Sequence, residues 1–141
     1  MAAASVKQIF SLKEILGNTG GISFVVLNLK DGHGNPVSHN VYWLSAGDDF
    51  KALKQMPAAR LETRVIKTDR SRTENKWTFE IRNSSSRLAF FVNPKLWNEK
   101  EEIMPTWWSA NYFSLAPGEK ITVTASCPSD LTSRNPLLKL E

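Results

Sequence analysis

The chain has 141 residues, enough for one ordinary domain or for a small domain with a fragment beside it. Hydrophobic residues make up 41% and charged residues 23%, which excludes a disordered chain, and no apolar run approaches the ~20 residues that span a bilayer. The net charge of +4 is too mild for a nucleic-acid footprint, and the single cysteine, Cys127, excludes an intrachain disulfide.

Residues 1–4, Met-Ala-Ala-Ala, lack the charged start and apolar middle of a secretory signal. Residues 6–16 leave two patterns open. Ile9, Leu12, Ile15 and Leu16 suit a helix, whereas Val6, Gln8, Phe10 and Leu12 suit a strand. Residues 17–21, Gly-Asn-Thr-Gly-Gly, break either element. Residues 22–30 then read as a buried strand and residues 37–44 as its return. The loop between them, Asp31-Gly32-His33-Gly34-Asn35-Pro36, carries the glycines and asparagine of a hairpin. Residues 48–53 suit a short helical turn capped by Ser45 or Asp48. Met56-Pro57 ends it, and a domain boundary is expected there: residues 1–58 as one part and 59–141 as the other.

The second part alternates regularly. Residues 61–68 read as a strand with Leu61, Thr63 and Val65 on one face, followed by a polar turn at residues 69–75. Trp77, Phe79 and Ile81 form the apolar face of a strand over residues 76–82, with Thr78, Glu80 and Arg82 opposite. Residues 88–96 read as one near-continuous apolar strand, and residues 98–102 as a charged turn. Tyr112 to Leu115 and Ile121 to Ala125 alternate on either side of a Pro117-Gly118 corner. Residues 135–140 supply a last strand, and Leu140-Glu141 reads as an appended sequence set apart from the fold. Strands about every ten residues, separated by polar turns, indicate an all-β, immunoglobulin-like antiparallel sandwich preceded by a β-hairpin.

Few residues point to chemistry. His33 and His39 lie in or beside a hairpin loop, six apart and without a nearby cysteine, which matches no metal signature. Neither histidine has a sequence reason to meet Cys127. Asp48-Asp49, Glu101-Glu102 and Glu119 sit in turns, where nothing fixes the separation that paired catalytic carboxylates need. No catalytic residue, metal ligand or cofactor is therefore expected. The basic residues between Arg60 and Lys76 are interleaved with Glu62, Asp69 and Glu74, which suits solvated strand faces better than a nucleic-acid surface. Asn83-Ser84-Ser85 fits an N-glycosylation acceptor. Five tryptophans are many for this length. Core packing accounts for Trp43, Trp77 and Trp97. Trp107 and Trp108 differ, because adjacent strand residues face opposite ways. One of them can stay outside and, with Asn111, offer a saccharide a flat apolar surface with a polar neighbour.

Several runs carry a family resemblance. Val41-Tyr42-Trp43-Leu44-Ser45 with Asp49-Phe50-Lys51-Ala52-Leu53 is similar to a pattern in the C-terminal region of family 2 glycoside hydrolases. So are Ala89-Phe90-Phe91-Val92 and the run from Met104-Pro105 through Trp108-Ser109-Ala110-Asn111-Tyr112-Phe113-Ser114-Leu115-Ala116-Pro117-Gly118-Glu119. Their shared order resembles the branch that holds β-mannosidases, exo-β-glucosaminidases and mannosylglycoprotein endo-β-mannosidases. Ala110 departs from it, standing where an aspartate is common.

The resemblance implies a long parent enzyme, exported or lysosome- or vacuole-like, with a sugar-binding domain, immunoglobulin-like sandwiches and a (β/α)8 barrel bearing two catalytic glutamates. A barrel needs ~250 residues, so this chain corresponds to the C-terminal sandwich, following the last strands of the preceding one. The expected partners are the barrel and the neighbouring sandwich of a β-mannosidase-type parent. The expected role is to brace the barrel without catalysing anything. The second expectation is a carbohydrate-binding module that holds an oligosaccharide at Trp107 or Trp108. Nucleic acid and membrane are not expected partners. The orphaned hairpin has exposed edges through which two copies could pair as a dimer.

Overall fold

The computed structural model describes residues 6–16, 21–45, 49–132 and 136–141. The chain divides into two compact units, Met1–Met56 and Pro57–Glu141.

In the first unit, β1 (Ile22–Lys30) and β2 (Pro36–Ser45) form an antiparallel hairpin. Asp31 organises its loop. The carboxylate accepts the backbone N–H groups of His33 (2.9 Å) and Asn35 (2.8 Å) and the Asn35 side-chain amide (2.9 Å). Gly34 takes a positive φ of 84°, which glycine adopts without steric cost. Of the two patterns left open at residues 6–16, only a five-residue helix forms, α1 (Leu12–Leu16). Residues 6–10 are exposed and outside any strand. The expected helical turn is a 3-10 turn at Lys51–Gln55. Its first N–H, that of Lys51, is accepted by the Asp49 carboxylate (2.9 Å), while the Ser45 hydroxyl donates to the Asp49 carbonyl instead of capping (2.6 Å). Asp48 lies outside the described residues.

The second unit has four strands in one sheet, in the order β3 (Leu61–Arg70), β4 (Glu74–Asn83), β9 (Lys120–Pro128) and β7 (Trp107–Trp108), all antiparallel. Two further pairs complete it: β5 (Ala89–Val92) with β8 (Phe113–Leu115), and β6 (Pro94–Trp97) with β10 (Leu137–Leu140). Alternation sends Trp77, Phe79 and Ile81 of β4 and Val123, Ala125 and Cys127 of β9 to one face of the large sheet. There they join Ala89, Val92, Leu96, Ile103 and Leu115 in one buried cluster. Burying such side chains contributes roughly 1.5–3 kcal/mol for each of the larger ones. The expected all-β, immunoglobulin-like antiparallel sandwich is what these strands build.

In the hairpin, β1 is at most half-buried rather than buried, and Leu27, Leu29 and Trp43 stand exposed instead of in a core. In the second unit, four expectations need correction. The run over residues 88–96 is two strands serving different partners. Phe91 adopts a left-handed φ of 57°, the register shifts between Ala89 and Val92, and Pro94 has no N–H to continue the first ladder. The face expected on β3 is largely solvated: beyond Leu61 the whole strand is exposed, and a bulge at Ile66 interrupts its pairing with β4. The turn after it is shorter than residues 69–75, because β3 runs to Arg70 and β4 starts at Glu74. Leu140 and Glu141 are part of the fold. Leu140 ends β10, the Glu141 and Asn93 backbones exchange hydrogen bonds (2.8 and 3.1 Å), and the Glu141 carboxylate meets Lys95 Nζ at 2.8 Å.

Asn83 ties the layers together. It is fully buried at the end of β4. Its Nδ2 donates to the carbonyls of Arg87 (2.6 Å) and Leu115 (2.9 Å), and its Oδ1 accepts from the Ser85 N–H (3.0 Å) and hydroxyl (2.7 Å). Its backbone N–H donates to Glu119 (2.9 Å) and its carbonyl accepts from Gly118 (3.0 Å). Both Nδ2 hydrogens are in use inside the protein, so a glycan on this nitrogen is incompatible with the fold, and the acceptor pattern at residues 83–85 is a correction too.

The opposite face of the large sheet is polar. There Glu80 receives Lys120 Nζ at 2.8 Å and Arg64 Nη2 at 3.0 Å. The Lys120 hydrogen bond, helped by the Arg64 charge, holds the Glu80 carboxyl below the ordinary glutamate value. Its contribution to stability is therefore present above the unfolded value of 4.5 and is lost as pH falls through the lower folded value.

Two outcomes follow. Asn83→Ala leaves the Leu115 carbonyl buried without its donor and should cost about 3 kcal/mol in denaturant unfolding, whereas Asn111→Ala, at an exposed position, should change little. Glu80→Gln should lower stability at about pH 7, and the deficit relative to the parent protein should shrink toward about pH 3; urea titrations at several pH values measure it.

Candidate functional site

The strand β7 decides which tryptophan faces solvent. Trp107 pairs with Ser126 and Trp108 with Ala125 of β9. Ala125 belongs to the buried face, so Trp108 turns inward. Its ring lies 6.2 Å from that of Phe79, and it packs against the core. Trp107 takes the outer face and remains 57% exposed. The two indoles thus point to opposite sides of one sheet and cannot share a ligand. Asn111 is exposed in the segment between β7 and β8, where no strand register ties it to Trp107.

The register names the outer neighbours of Trp107. Ser126 stands next to it on β9, Lys76 next on β4 and Asp69 next on β3. The adjoining row on the same face holds Thr124, Thr78 and Lys67. The Thr124 N–H donates to the Ser109 hydroxyl, and the Ser109 N–H donates to the Thr124 carbonyl (both 2.9 Å), which fastens the end of β7 to β9. Asp69 is paired with Lys67 at 2.8 Å. Farther along the face, Glu62, Thr63, Arg64, Glu80 and Arg82 line an open cleft of about 240 Å³. It holds two carboxylates, but Glu80 is kept ionised by Lys120 and Arg64. A carboxyl held below its ordinary value is a poor general acid near neutral pH.

The companions of Trp107 were half legible. Thr122, Thr124 and Lys120 read as the polar side of an alternating strand, but only the register brings Lys76 and Ser126 beside the indole. The sequence reading missed another aromatic feature. Phe91 and Tyr112 both have left-handed backbones, with φ of 57° and 52°, and their rings lie 5.0 Å apart, both largely exposed. Period-two alternation cannot foresee such residues, because it assumes extended backbone throughout.

The remaining groups are separate from this face. Cys127 is fully buried on β9, and burial pushes its thiol above the ordinary value, so it stays protonated near neutral pH. His39 Nδ1 lies 2.8 Å from Asn28 Oδ1 across the hairpin, and His33 sits in its loop. Among the described residues, no group of three or more His, Cys, Asp or Glu side chains is placed to hold a metal ion.

Comparison with known proteins gives these features a context. The crystal structure of Amycolatopsis orientalis exo-chitosanase CsxA superposes with a TM-score of 0.72 at 24% identity, covering 87% of this chain and 17% of that one. A CsxA variant in complex with PNP-beta-D-glucosamine gives 0.70 at 25% identity, covering 83% and 16%. An exo-beta-D-glucosaminidase of Arthroderma benhamiae is 28% identical over an alignment of 126 residues that covers 76% of this chain and 14% of the relative. The chain thus spans about one sixth or less of the length of these relatives. Residues 40–141 match the family model described as the exo-beta-D-glucosaminidase Ig-fold domain, and the chain belongs to that family.

Proposed function

We propose that the chain is the non-catalytic, C-terminal sandwich region of a family 2 glycoside hydrolase and that it braces the catalytic barrel of its parent. The observation that carries this reading is the family match over residues 40–141. The relatives named as exo-beta-D-glucosaminidase and exo-chitosanase favour a parent that acts on β-linked glucosamine at a chain end. The parent would be a retaining enzyme, its two catalytic glutamates lying in the barrel. A β-mannosidase-type parent is the neighbouring alternative, supported by the motif order around Val41 to Leu53 and Met104 to Glu119.

The residues support this division of labour. Glu62 and Glu80 share the one carboxylate-lined cleft described above, and Glu80 is occupied by two cations. The hairpin β1–β2 would then be the closing part of the preceding sandwich. A two-stranded hairpin is marginal by itself, and this one leaves Leu29, Val37, Tyr42 and Trp43 exposed.

The test uses the purified chain and aryl β-glucosaminide and β-mannoside substrates. No nitrophenol release above the buffer rate is expected. Release that tracks the protein and is lost in Glu80→Gln would overturn the non-catalytic reading. For the parent enzyme, kcat/KM should favour the glucosaminide over the mannoside, and the reverse preference would favour the β-mannosidase type.

A further inference from the structure

We infer that the outer face of the large sheet, centred on Trp107, is a binding surface for neutral β-linked oligosaccharides that carry hydroxyl or acetamido groups. This goes beyond the bracing role and does not depend on it.

Three observations converge. The first is orientation. On β7, alternation buries Trp108 against Phe79 and leaves Trp107 on the outer face, 57% exposed. Packing in this unit therefore explains one indole and not the other. The second is the setting. The same-face neighbours of Trp107 are Ser126, Lys76 and Asp69 in its own row, Thr124, Thr78 and Lys67 in the row on one side, and Pro128 and Glu74 in the row on the other. An apolar docking site for a protein would surround the indole with apolar side chains. Here it is bordered mainly by hydroxyl and charged groups, which suits a pyranose with one apolar C–H face and a rim of hydroxyls. The third is span. From Trp107 to Asp69 the row crosses three inter-strand steps of about 4.8 Å each, a nearly straight run of roughly 14 Å. That is a track for several sugar units rather than a pocket for one.

Charge selects among sugars. Asp69 is satisfied by Lys67 at 2.8 Å, and Glu80, on the same face, by Lys120 and Arg64, while the Glu74 carboxylate lies one row away from that of Trp107, beside Pro128. The group nearest Trp107 along the row that carries a charge is the Lys76 ammonium, a donor only. It can donate to a hydroxyl or to an acetamido carbonyl. It repels a protonated amino sugar. The surface therefore favours N-acetylated or simple hydroxylated chains over fully deacetylated ones.

The test is an NMR titration of the chain, following its tryptophan indole N–H signals, with Trp107 assigned by its loss in Trp107→Phe. The probes are N-acetylated chitohexaose, cellohexaose and the fully deacetylated glucosamine hexamer below the amine pKa. The Trp107 indole and the Thr124 and Ser126 amides should shift saturably with the neutral hexamers. The deacetylated hexamer should bind at least about tenfold more weakly, and Trp107→Ala should lose at least about tenfold in affinity while Trp107→Phe retains most of it. Trp107 is exposed, so an unchanged circular dichroism spectrum will show that Trp107→Ala still folds. No shift at Trp107 with either neutral hexamer, undiminished binding by Trp107→Ala, or equal binding of the protonated hexamer would each overturn the inference.

Discussion

The carboxamide of Asn83 sits where the chain must pass between layers. Strands β8 and β9 are consecutive in sequence but belong to different sheets, so the corner at residues 116–119 is a crossing rather than a hairpin. Such a crossing exposes backbone groups that neither ladder can satisfy, and burying them unpaired would cost about 1–3 kcal/mol each. Asn83 meets them from the end of β4. Its side chain takes the Leu115 carbonyl before the corner, and its backbone takes Gly118 and Glu119 after it. The Glu119 carboxylate closes the turn by accepting the Ala116 N–H at 2.8 Å, and Gly118 supplies the positive φ of 78°. With the corner pinned, β9 enters the large sheet in register with β4, and the rows Trp77-Phe79-Ile81 and Val123-Ala125-Cys127 meet on the same side.

That register also explains the two faces. Once Ala125 is buried, Trp108 opposite it must point inward and Trp107 must point outward. The same parity places Lys76, Thr78, Glu80 and Arg82 outside. The apolar face holds the layers together, and the polar face is turned to solvent. The kinship with exo-beta-D-glucosaminidase Ig-fold domains gives that surface a setting, since the solved relatives carry this fold as a small part of a much longer chain.

Much of this is legible in the sequence. Strict alternation at Trp77, Phe79 and Ile81 and at Ile121, Val123 and Ala125 marked the central strands, because a half-buried strand has no other way to place its apolar side chains. The rule of opposite faces at Trp107-Trp108 foretold a split, though not which indole would be exposed; that depended on pairing with β9. The failures have local causes. The apolar run over residues 88–96 concealed a break, since hydrophobicity does not report the left-handed backbone at Phe91. The apolar positions of β3 suggested burial, but a strand at the margin of a sheet leaves them in solvent. Asn83 fits a glycosylation acceptor only because the three-residue pattern carries no information about burial. Its actual role requires partners at Leu115, Gly118 and Glu119, more than thirty positions away, which a local reading does not reach.

The hydrogen exchange of the Asn83 side-chain amide tests the account most directly. If its two Nδ2 hydrogens are held by the Arg87 and Leu115 carbonyls in a dry corner, they should persist after transfer into deuterated water and exchange among the slowest side-chain amides of the chain. Exchange as rapid as that of the exposed Asn111 amide would show that the corner is open to solvent and that something other than Asn83 holds the two layers in register.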